Sequence, residues 1–412
     1  MRVLFIVIEQ PHPPRSGADL RNWQNIAASA AVAETAVLFL TAFASGTSDP
    51  PLPLARWQRL DQRPPHLIWH PPRPRTPIDL DYAPEALAEI DRTLAEFRPD
   101  VVVLGHTQLH ALAQRVQAAG ARLIVDMHNV ESDLYRQLVS PRVPLKYFSR
   151  RVLGRGTRQI EAVERQLTAA AQQVWLCSSK DRDRLMALAG TAATLKVVPN
   201  GLPPTRPRAQ KPRVAPPYLG SGRRPRLLFL GHLSYPPNVQ AAYFLCRSLA
   251  PRLERLPQQP ELVLAGRQPT RKLRRLAAAA GATLIADPGE VDSLLRDADL
   301  MLVPLGGGGG TRIKVLEALG AGLPVVATPR AVEGLDLRDG SEVFLARTVA
   351  AFEAQVVRLL GQPESYRAAS AAALGAIARA FDPESVAATV VAALDEVAPG
   401  ARPLRPALSK SA

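Results

Sequence analysis

Short apolar segments alternate with longer amphipathic segments along nearly the whole chain, and this alternation restricts the fold more than any other feature. The apolar segments are predicted strands at 2–8, 35–40, 67–69, 100–104, 122–126, 173–177 and 195–198, and then at 226–230, 261–265, 283–286, 300–304 and 324–328. Most are continuous apolar runs, which are typical of strands buried on both faces. Helical patterns between them predict an α/β fold with parallel sheets covered by helices.

The pattern is interrupted by a segment rich in proline, glycine and charge at 203–225. We interpret this segment as a linker between two Rossmann-like, doubly wound domains, which we place at 1–202 and 226–381. A C-terminal helix at 382–398 is expected to pack back on the N-terminal domain, and 399–412 are predicted to be a disordered tail. Doubly wound sheets bind ligands at the carboxyl ends of their strands, so we expect the site in a cleft between facing domains.

Composition excludes several classes of protein. The 412 residues include two cysteines, Cys177 and Cys246, which argues against a disulfide scaffold and favours a reducing, cytoplasmic compartment. No run of about eighteen apolar residues is present, and the apolar start at 2–8 lacks the features of a signal peptide. The net charge of +14 leaves three interpretations open: charge spread over solvated surfaces, attraction to an anionic membrane, or nucleic-acid binding.

Consecutive glycines at 306–310 follow a predicted strand and precede a helix that carries Arg312, Lys314 and Glu317. Glycine lets backbone N–H groups approach phosphate oxygens, and a helix N-terminus with cations beside it favours an anion. A carboxylate one turn deeper suits ribose hydroxyls, so these features together predict a nucleoside diphosphate. The alternative is a flexible loop before an ordinary helix, with Lys314 and Glu317 as an exposed i,i+3 pair.

This stretch resembles the nucleotide-sugar site of glycosyltransferase family 4, whose retaining enzymes have the two-domain GT-B fold. The residues that match its motif are Lys314, Glu317, Ala318, Gly322, Pro324, Glu333 and Gly334. Further segments that resemble the family lie at 11–21, 125–132, 197–202 and 228–238. The resemblance extends over nearly the whole chain and implies that the chain transfers a sugar from a nucleoside-diphosphate donor.

The resemblance also implies roles for individual residues. Arg312 and Lys314 would hold the diphosphate, and Glu317 would hold the ribose. The complete predicted donor-nucleotide set is Gly17, Gly231, Gly309, Gly310, Thr311, Arg312, Lys314 and Glu317. His128, which follows the strand at 122–126, would lie at the reacting sugar and would be catalytic together with Arg312 and Lys314.

Other loop residues near the expected cleft are candidate sugar or acceptor contacts, and they are His12, His106, Asn129 and Asn200. From the residues alone, His128 could equally be a buried histidine satisfied by Asp126 or by the backbone. The D-x-D sequence at 79–81 is similar to the metal site of another glycosyltransferase fold, but Pro84 follows closely. We therefore interpret Asp81 or a neighbour as a helix N-terminal residue. We predict no metal and no cofactor, because cations of the chain can neutralise the diphosphate.

Two positions depart from the family pattern. Members often carry Arg and Lys after the first strand of the second domain, whereas this chain has Gly231, His232 and Leu233 there. Many also carry a glutamate eight residues before the ribose glutamate, where this chain has Gly309. We expect the two cations of the following helix, Arg312 and Lys314, to bind the phosphates instead. A degenerate, non-catalytic copy is the alternative.

These observations predict a cytoplasmic hexosyltransferase that transfers a sugar from a nucleotide sugar to a glycan or a polyprenyl- or other lipid-linked acceptor, in cell-surface polysaccharide or glycolipid synthesis. The basic helix at 146–165 suggests peripheral association with the cytoplasmic face of the inner membrane. The alternatives are a nucleotide-sugar epimerase of the same fold, which needs no acceptor, and a non-catalytic protein that binds nucleotide sugars or nucleic acid. A nucleic-acid partner is not expected, because aromatic residues do not interleave with the basic clusters.

Overall fold

The computed structural model describes residues 1–14, 16–41, 49–62, 76–139, 147–190, 193–202, 208–307 and 313–399. The chain forms two compact units. Unit 1 comprises Met1–Asn200 and the segment from Glu384 onward, and unit 2 comprises Gly201–Pro383. The predicted strand at 67–69, the first residues of the predicted linker and the tail beyond 399 lie outside the described residues.

The described residues of unit 1 form a seven-stranded sheet in which all neighbouring strands are parallel. The strands are β1 (Arg2–Ile8), β2 (Glu34–Thr41), β3 (Arg56–Asp61), β4 (Val101–Gly105), β5 (Arg122–Met127), β6 (Gln173–Leu176) and β7 (Thr194–Val197). Their order across the sheet is β3-β2-β1-β4-β5-β6-β7. The direction of winding therefore reverses between β1 and β4, and ligands of doubly wound sheets bind at the carboxyl ends of the strands at such a switch point.

Both faces of this sheet are buried. Leu4 and Ile6 of β1 belong to one hydrophobic cluster, whereas Val3, Phe5 and Val7 belong to another. Successive side chains of a strand point to opposite faces, so a strand covered on both sides needs an uninterrupted apolar sequence. The helices that cover the sheet are α1 (Gly17–Ala30), α2 (Pro84–Phe97), α3 (Ala113–Ala118), α4 (Glu131–Val139), α5 (Tyr147–Ala170) and α6 (Ser179–Ala189).

Unit 2 contains a second parallel sheet, of six strands. The strands are β8 (Arg226–Leu230), β9 (Glu261–Gly266), β10 (Thr283–Ala286), β11 (Leu300–Val303), β12 (Val325–Ala327) and β13 (Phe344–Leu345). Their order is β10-β9-β8-β11-β12-β13, which repeats the winding of unit 1 and places the switch point between β8 and β11. Two doubly wound α/β units confirm the predicted fold class.

The remaining helices follow the same alternation. They are α7 (Pro236–Phe244), α8 (Ala250–Leu253), α9 (Arg271–Ala279), α10 (Asp292–Asp297), α11 (Ile313–Gly320), α12 (Val349–Gly361), α13 (Pro363–Ala376) and α14 (Pro383–Val397). Val390 and Leu394 of α14 share a buried cluster with Phe5 of β1, so this last helix packs on the sheet of unit 1. Within the described part of the chain, no helix is both long and apolar enough to span a bilayer.

The described part of the proline-rich segment is anchored to unit 2. Arg213 donates hydrogen bonds to the carbonyl oxygens of Leu295 at 2.6 Å, Ala298 at 2.7 Å and Ala321 at 3.2 Å. These carbonyls lie in and beside the ends of helices, where backbone acceptors lack partners within the helix. The sequence predicts a linker with little to bury at 203–225, and in the structure Arg213 ties this stretch to the ends of α10 and α11.

Candidate functional site

The switch point of unit 2 brings together the end of β8 and the start of α11. Gly231 follows β8 directly, and β11 leads through 304–307 toward α11, which begins at Ile313. Lys314 and Glu317 lie on a half-buried face of α11, because its opposite face packs into the core through Val315, Leu316 and Leu319. The structure therefore brings three predicted donor-site residues, Gly231, Lys314 and Glu317, to one edge of the sheet.

The backbone at this edge leaves no room for side chains. A Cβ atom on Gly231 would lie 2.8 Å from the Lys314 ammonium nitrogen and 2.9 Å from Cγ of Asn238. A Cβ atom on Gly266, at the end of β9, would lie 1.6 Å from the carbonyl oxygen of Gly231. Glycine is required at Gly266 because the backbone of Gly231 approaches it, whereas a Cβ atom at Gly231 would displace the side chains of Lys314 and Asn238.

The Lys314 ammonium contacts side chains of the neighbouring segments of unit 2. Its Nζ donates a hydrogen bond of 2.7 Å to Oδ1 of Asn238, and it lies 4.7 Å from the centre of the Phe229 ring. Asn238 in turn donates from Nδ2 to the carbonyl oxygen of His232 at 3.0 Å. A cation thus lies beside the side-chain-free end of β8, which suits an anionic ligand. Sequence reasoning missed Asn238, which lies 76 positions from Lys314.

Glu317 lies one helical turn after Lys314 on the same face of α11, and its side chain is half-buried. The other predicted donor residues of this loop, Gly309, Gly310, Thr311 and Arg312, lie outside the described residues. Glu333, from the second motif segment that the sequence matches, forms an ion pair with Arg330.

In unit 1, buried charged side chains form a hydrogen-bonded network near the carboxyl ends of the strands. The Arg21 guanidinium donates to both carboxylate oxygens of Asp126, the shortest contact being 2.5 Å, and both side chains are almost fully buried. Arg21 also donates to the Val198 carbonyl and to Oδ1 of Asn200, each at 2.7 Å, and Asn25 donates to Asp126 at 2.8 Å. The network joins α1, β5 and the segment after β7. It also occupies the side-chain oxygen of Asn200, a predicted acceptor contact.

His128 is buried next to this network. Its Nε2 lies 3.2 Å from Oδ1 of Asn22 and 3.7 Å from a carboxylate oxygen of Asp126. Burial, together with the nearby Arg21 charge, lowers the pKa of His128 to about 3, so the imidazole is neutral at physiological pH. Its Nδ1 has no hydrogen-bond partner among the described residues. A neutral imidazole with one ring nitrogen unpaired among the described residues is able to form a hydrogen bond with a ligand.

His106 and Glu131 extend the polar edge beside His128. The rings of His106 and His128 are 5.2 Å apart, and Nε2 of His106 lies 3.7 Å from Oε1 of Glu131. Burial lowers the pKa of His106 to about 3. Burial also raises the pKa of Glu131 to about 7, although a 3.1 Å hydrogen bond from Asn129 opposes this shift. The predicted residues His106, Asn129 and His128 thus lie together, with Glu131, which sequence reasoning missed.

The first loop of unit 1 carries the remaining predicted residues. Gly17 is the exposed first residue of α1, whose N-cap Ser16 accepts a hydrogen bond from the Asp19 amide at 3.2 Å. The His12 ring packs on Trp23, with ring centres 4.4 Å apart, and burial lowers the pKa of His12. Both residues follow β1 at the switch point of unit 1.

The acidic sequence at 79–81 lies directly before helix α2, and Asp79 belongs to a local hydrogen-bond network. Helix α2 begins at Pro84, and its N-cap residue Ala83 makes no side-chain capping bond, so the sequence at 79–81 precedes the helix. Asp79 instead accepts hydrogen bonds from the Thr76 amide at 2.9 Å and pairs with Nε2 of His110 at 2.8 Å. Over the described ranges, no group of three or more His, Cys, Asp or Glu side chains has the arrangement of a metal site.

Two family models match the chain. The model described as "Glycosyl transferase 4-like domain" matches residues 21–201, and the model described as "Glycosyl transferases group 1" matches residues 224–362. The two matches fall on unit 1 and unit 2 respectively. No curated protein matches the chain by sequence.

Solved structures of low sequence identity share the fold. HepE of Anabaena in complex with UDP and glucose has a TM-score of 0.66 and 15% identity, over 96% of this chain and 100% of that chain. Sucrose-phosphate synthase from Thermosynechococcus elongatus has a TM-score of 0.70 and 15% identity, over 96% and 98% of the chains. A glycosyltransferase from Rickettsia africae has a TM-score of 0.64 and 10% identity, also over 96% and 98%. From both family matches and the two doubly wound units, the chain is a glycosyltransferase with the GT-B fold.

Proposed function

We propose that the protein is a retaining glycosyltransferase of family 4 that moves a sugar from a nucleoside-diphosphate donor to a glycan or lipid-linked acceptor. The observation that carries the proposal is the Lys314 ammonium, which is held beside the side-chain-free end of β8 at the switch point of unit 2. Doubly wound sheets bind ligands at this edge, and an ammonium favours an anion there. The complex of HepE with UDP and glucose supports a nucleotide sugar as the donor.

The proposed contacts bind the diphosphate of the donor first and then its ribose. Lys314 would contact the diphosphate, and the bare backbone at Gly231 would let phosphate oxygens approach without meeting a Cβ atom. Glu317, one turn further along α11, would accept hydrogen bonds from the ribose hydroxyls. Arg312 and the glycines at 309–310 complete the proposed set of phosphate contacts.

The proposed chemistry is stabilisation of a leaving group. Breaking the bond between the anomeric carbon and the phosphate places negative charge on the departing diphosphate, and a cation fixed beside it stabilises the transition state more than the ground state. Removing one such donor typically costs on the order of 2.7–4 kcal/mol in the barrier. His128 would form a hydrogen bond with a sugar hydroxyl in its neutral form, which its lowered pKa favours.

Nucleotide binding tests the donor site. Thermal shifts with UDP, GDP, ADP and TDP identify the base, and calorimetry then compares the wild type with K314A and E317A. A lost hydrogen bond to a charged group is worth about 1.5–3 kcal/mol, so each variant should bind the diphosphate roughly 10- to 100-fold more weakly. Lys211→Ala, which removes an exposed lysine of unit 2, is the matched control. Unchanged affinity in both site variants would refute the assignment.

Product analysis tests the reaction. The nucleotide sugar that binds is incubated with candidate acceptors, and proton NMR of the product reports the configuration at the anomeric carbon. Retention supports the proposal, whereas inversion contradicts it. Conversion of the donor to an isomer without any acceptor would instead identify an epimerase.

The net charge of +14 motivates the proposed location, which is the cytoplasm with peripheral attachment to the membrane that carries a lipid-linked acceptor. Basic segments near an anionic surface contribute about 1 kcal/mol per Lys or Arg. Co-sedimentation with vesicles that contain or lack an anionic phospholipid tests this attachment. Equal binding to both kinds of vesicle would contradict it.

A further inference from the structure

Asn238 connects the loop after β8 to the cation of α11. It lies in the first turn of α7, and 7% of its surface is exposed. Its Oδ1 accepts from the Lys314 ammonium at 2.7 Å, and its Nδ2 donates to the His232 carbonyl at 3.0 Å. An ammonium can only donate and a carbonyl can only accept, so these partners fix the orientation of the amide.

The hydrogen bond from Lys314 is made to a group without net charge. An aspartate of almost the same shape would also accept a hydrogen bond from the ammonium, but it could not donate to the His232 carbonyl. Its carboxylate would also offset the positive charge of the ammonium and repel an anionic ligand. The amide accepts the hydrogen bond and adds no negative charge. The loop after β8 supplies no cation of its own, since Gly231 is followed by His232 and Leu233, so the charge on Lys314 matters more here.

The packing around Gly231 leaves the lysine little freedom. A Cβ atom at this position would lie 2.8 Å from Lys314 Nζ and 2.9 Å from both Cγ and Nδ2 of Asn238. The ammonium and the amide therefore both lie against the backbone where β8 ends. Because the amide is buried and has a partner at each end, it provides a fixed support for the ammonium.

We propose that Asn238 is a positioning residue, which holds the Lys314 ammonium at the diphosphate-binding edge of unit 2 without adding a negative charge. This inference rests on the proposed donor function. If Asn238 has this role, the affinity for the diphosphate depends on the charge at position 238, whereas the affinity for the nucleoside does not.

Calorimetry on N238A and N238D, without divalent cations and at low salt, tests this dependence of affinity on charge. The probes are UDP, GDP, ADP and TDP, each paired with its nucleoside. We expect diphosphate affinity to fall about threefold in N238A, which loses the support, and at least about tenfold in N238D, which also adds a repulsive charge. Nucleoside affinity should stay within about twofold of the wild type. Gln259→Glu, which adds a negative charge at an exposed position before β9, should change neither affinity.

A double variant tests whether Asn238 acts through the lysine. In the K314A background no ammonium remains to be held, so N238A should cause no further loss of diphosphate affinity. A further loss there, equal affinities of N238A and N238D, or a parallel loss of nucleoside affinity would each overturn the proposal for Asn238. Thermal unfolding of every variant separates these results from misfolding. If the wild type binds none of the four diphosphates, the donor function itself fails, and the role of Asn238 fails with it.

Discussion

Alanine substitutions at the two glycines where β8 and β9 end are expected to have different effects. A Cβ atom on Gly266 would lie 1.6 Å from the carbonyl oxygen of Gly231, which belongs to the backbone of the neighbouring strand end. A Cβ atom on Gly231 would meet the ends of two side chains, at 2.8 Å from Lys314 and 2.9 Å from Asn238. The first clash requires two paired segments to separate, whereas the second requires only side chains to move.

The magnitudes follow from these contacts. Overpacking typically costs about 1–3 kcal/mol, and a side chain in a strained backbone conformation adds about 1–3 kcal/mol. Gly266 has a φ of +155°, so both terms apply to it, and we expect G266A to lower the free energy of unfolding by about 2–6 kcal/mol. For G231A the free energy of unfolding should fall by only about 1 kcal/mol, which is the low end of the overpacking range. In a domain of this size each kcal/mol lowers Tm by about 2–4 °C, which predicts a fall of roughly 4–24 °C for G266A.

Urea denaturation followed by circular dichroism measures the stabilities, and calorimetry with the best-binding nucleoside diphosphate measures the affinities. G231A should bind the diphosphate about tenfold more weakly, because its new Cβ displaces the ammonium. Gly361→Ala is the control, since a Cβ there meets no atom within 4 Å. A G266A protein within about 1 kcal/mol of the wild type, or a G231A protein that binds the diphosphate normally, would refute this reasoning.

Three further predictions concern buried charges. Replacing Arg21 by methionine leaves the Asp126 carboxylate buried and unpaired, so R21M should lose about 3–5 kcal/mol in urea denaturation, and R21M/D126N should lose less. The pKa of Glu342 is lowered to about 2, chiefly by hydrogen bonds from Arg379 and Arg338, which outweigh the effect of burial. E342Q should therefore be less stable than the wild type above pH 4.5, and this difference should vanish as the pH falls toward 2; a constant difference would contradict it. Burial raises the pKa of Glu131 from 4.5 in the unfolded chain to about 7 in the folded protein. Between pH 4.5 and 7 the unfolded chain therefore loses this proton first, and the wild type becomes less stable as the pH rises. E131Q cannot ionise, so in thermal denaturation it should be the more stable protein above pH 7. Equal stability there would contradict it.

The central strands were predictable from sequence because they are buried on both faces. β1, β4 and β5 consist mainly of consecutive apolar residues, and the structure buries them almost completely. β3 was missed because it lies at the edge of the described sheet, where it pairs with β2, so its sequence RWQRLD can remain largely polar. Burial on both sides leaves a strong signal in the sequence, and burial on one side leaves a weak one.

The candidate site was predictable where its residues are close in sequence. Lys314 and Glu317 share one helix, so their spacing alone places them on one face. Asn238 and Arg21 were missed because their partners are 76 and 105 positions away, and no local pattern marks such contacts. Glu131 was missed for a different reason, since its raised pKa comes from burial, which a charged residue at a helix start does not reveal.

By itself, the sequence determined the alternation of strands and helices, the two doubly wound units, and a glycine-rich segment directly before a helix that carries cations. Each of these features depends on hydrophobic periodicity or on local backbone freedom. Only the tertiary structure decided which group supports the Lys314 ammonium, that a buried arginine neutralises Asp126, and that His128 stays uncharged. These properties depend on distances between segments far apart in the chain and on the exclusion of water, and neither exists until the chain has folded.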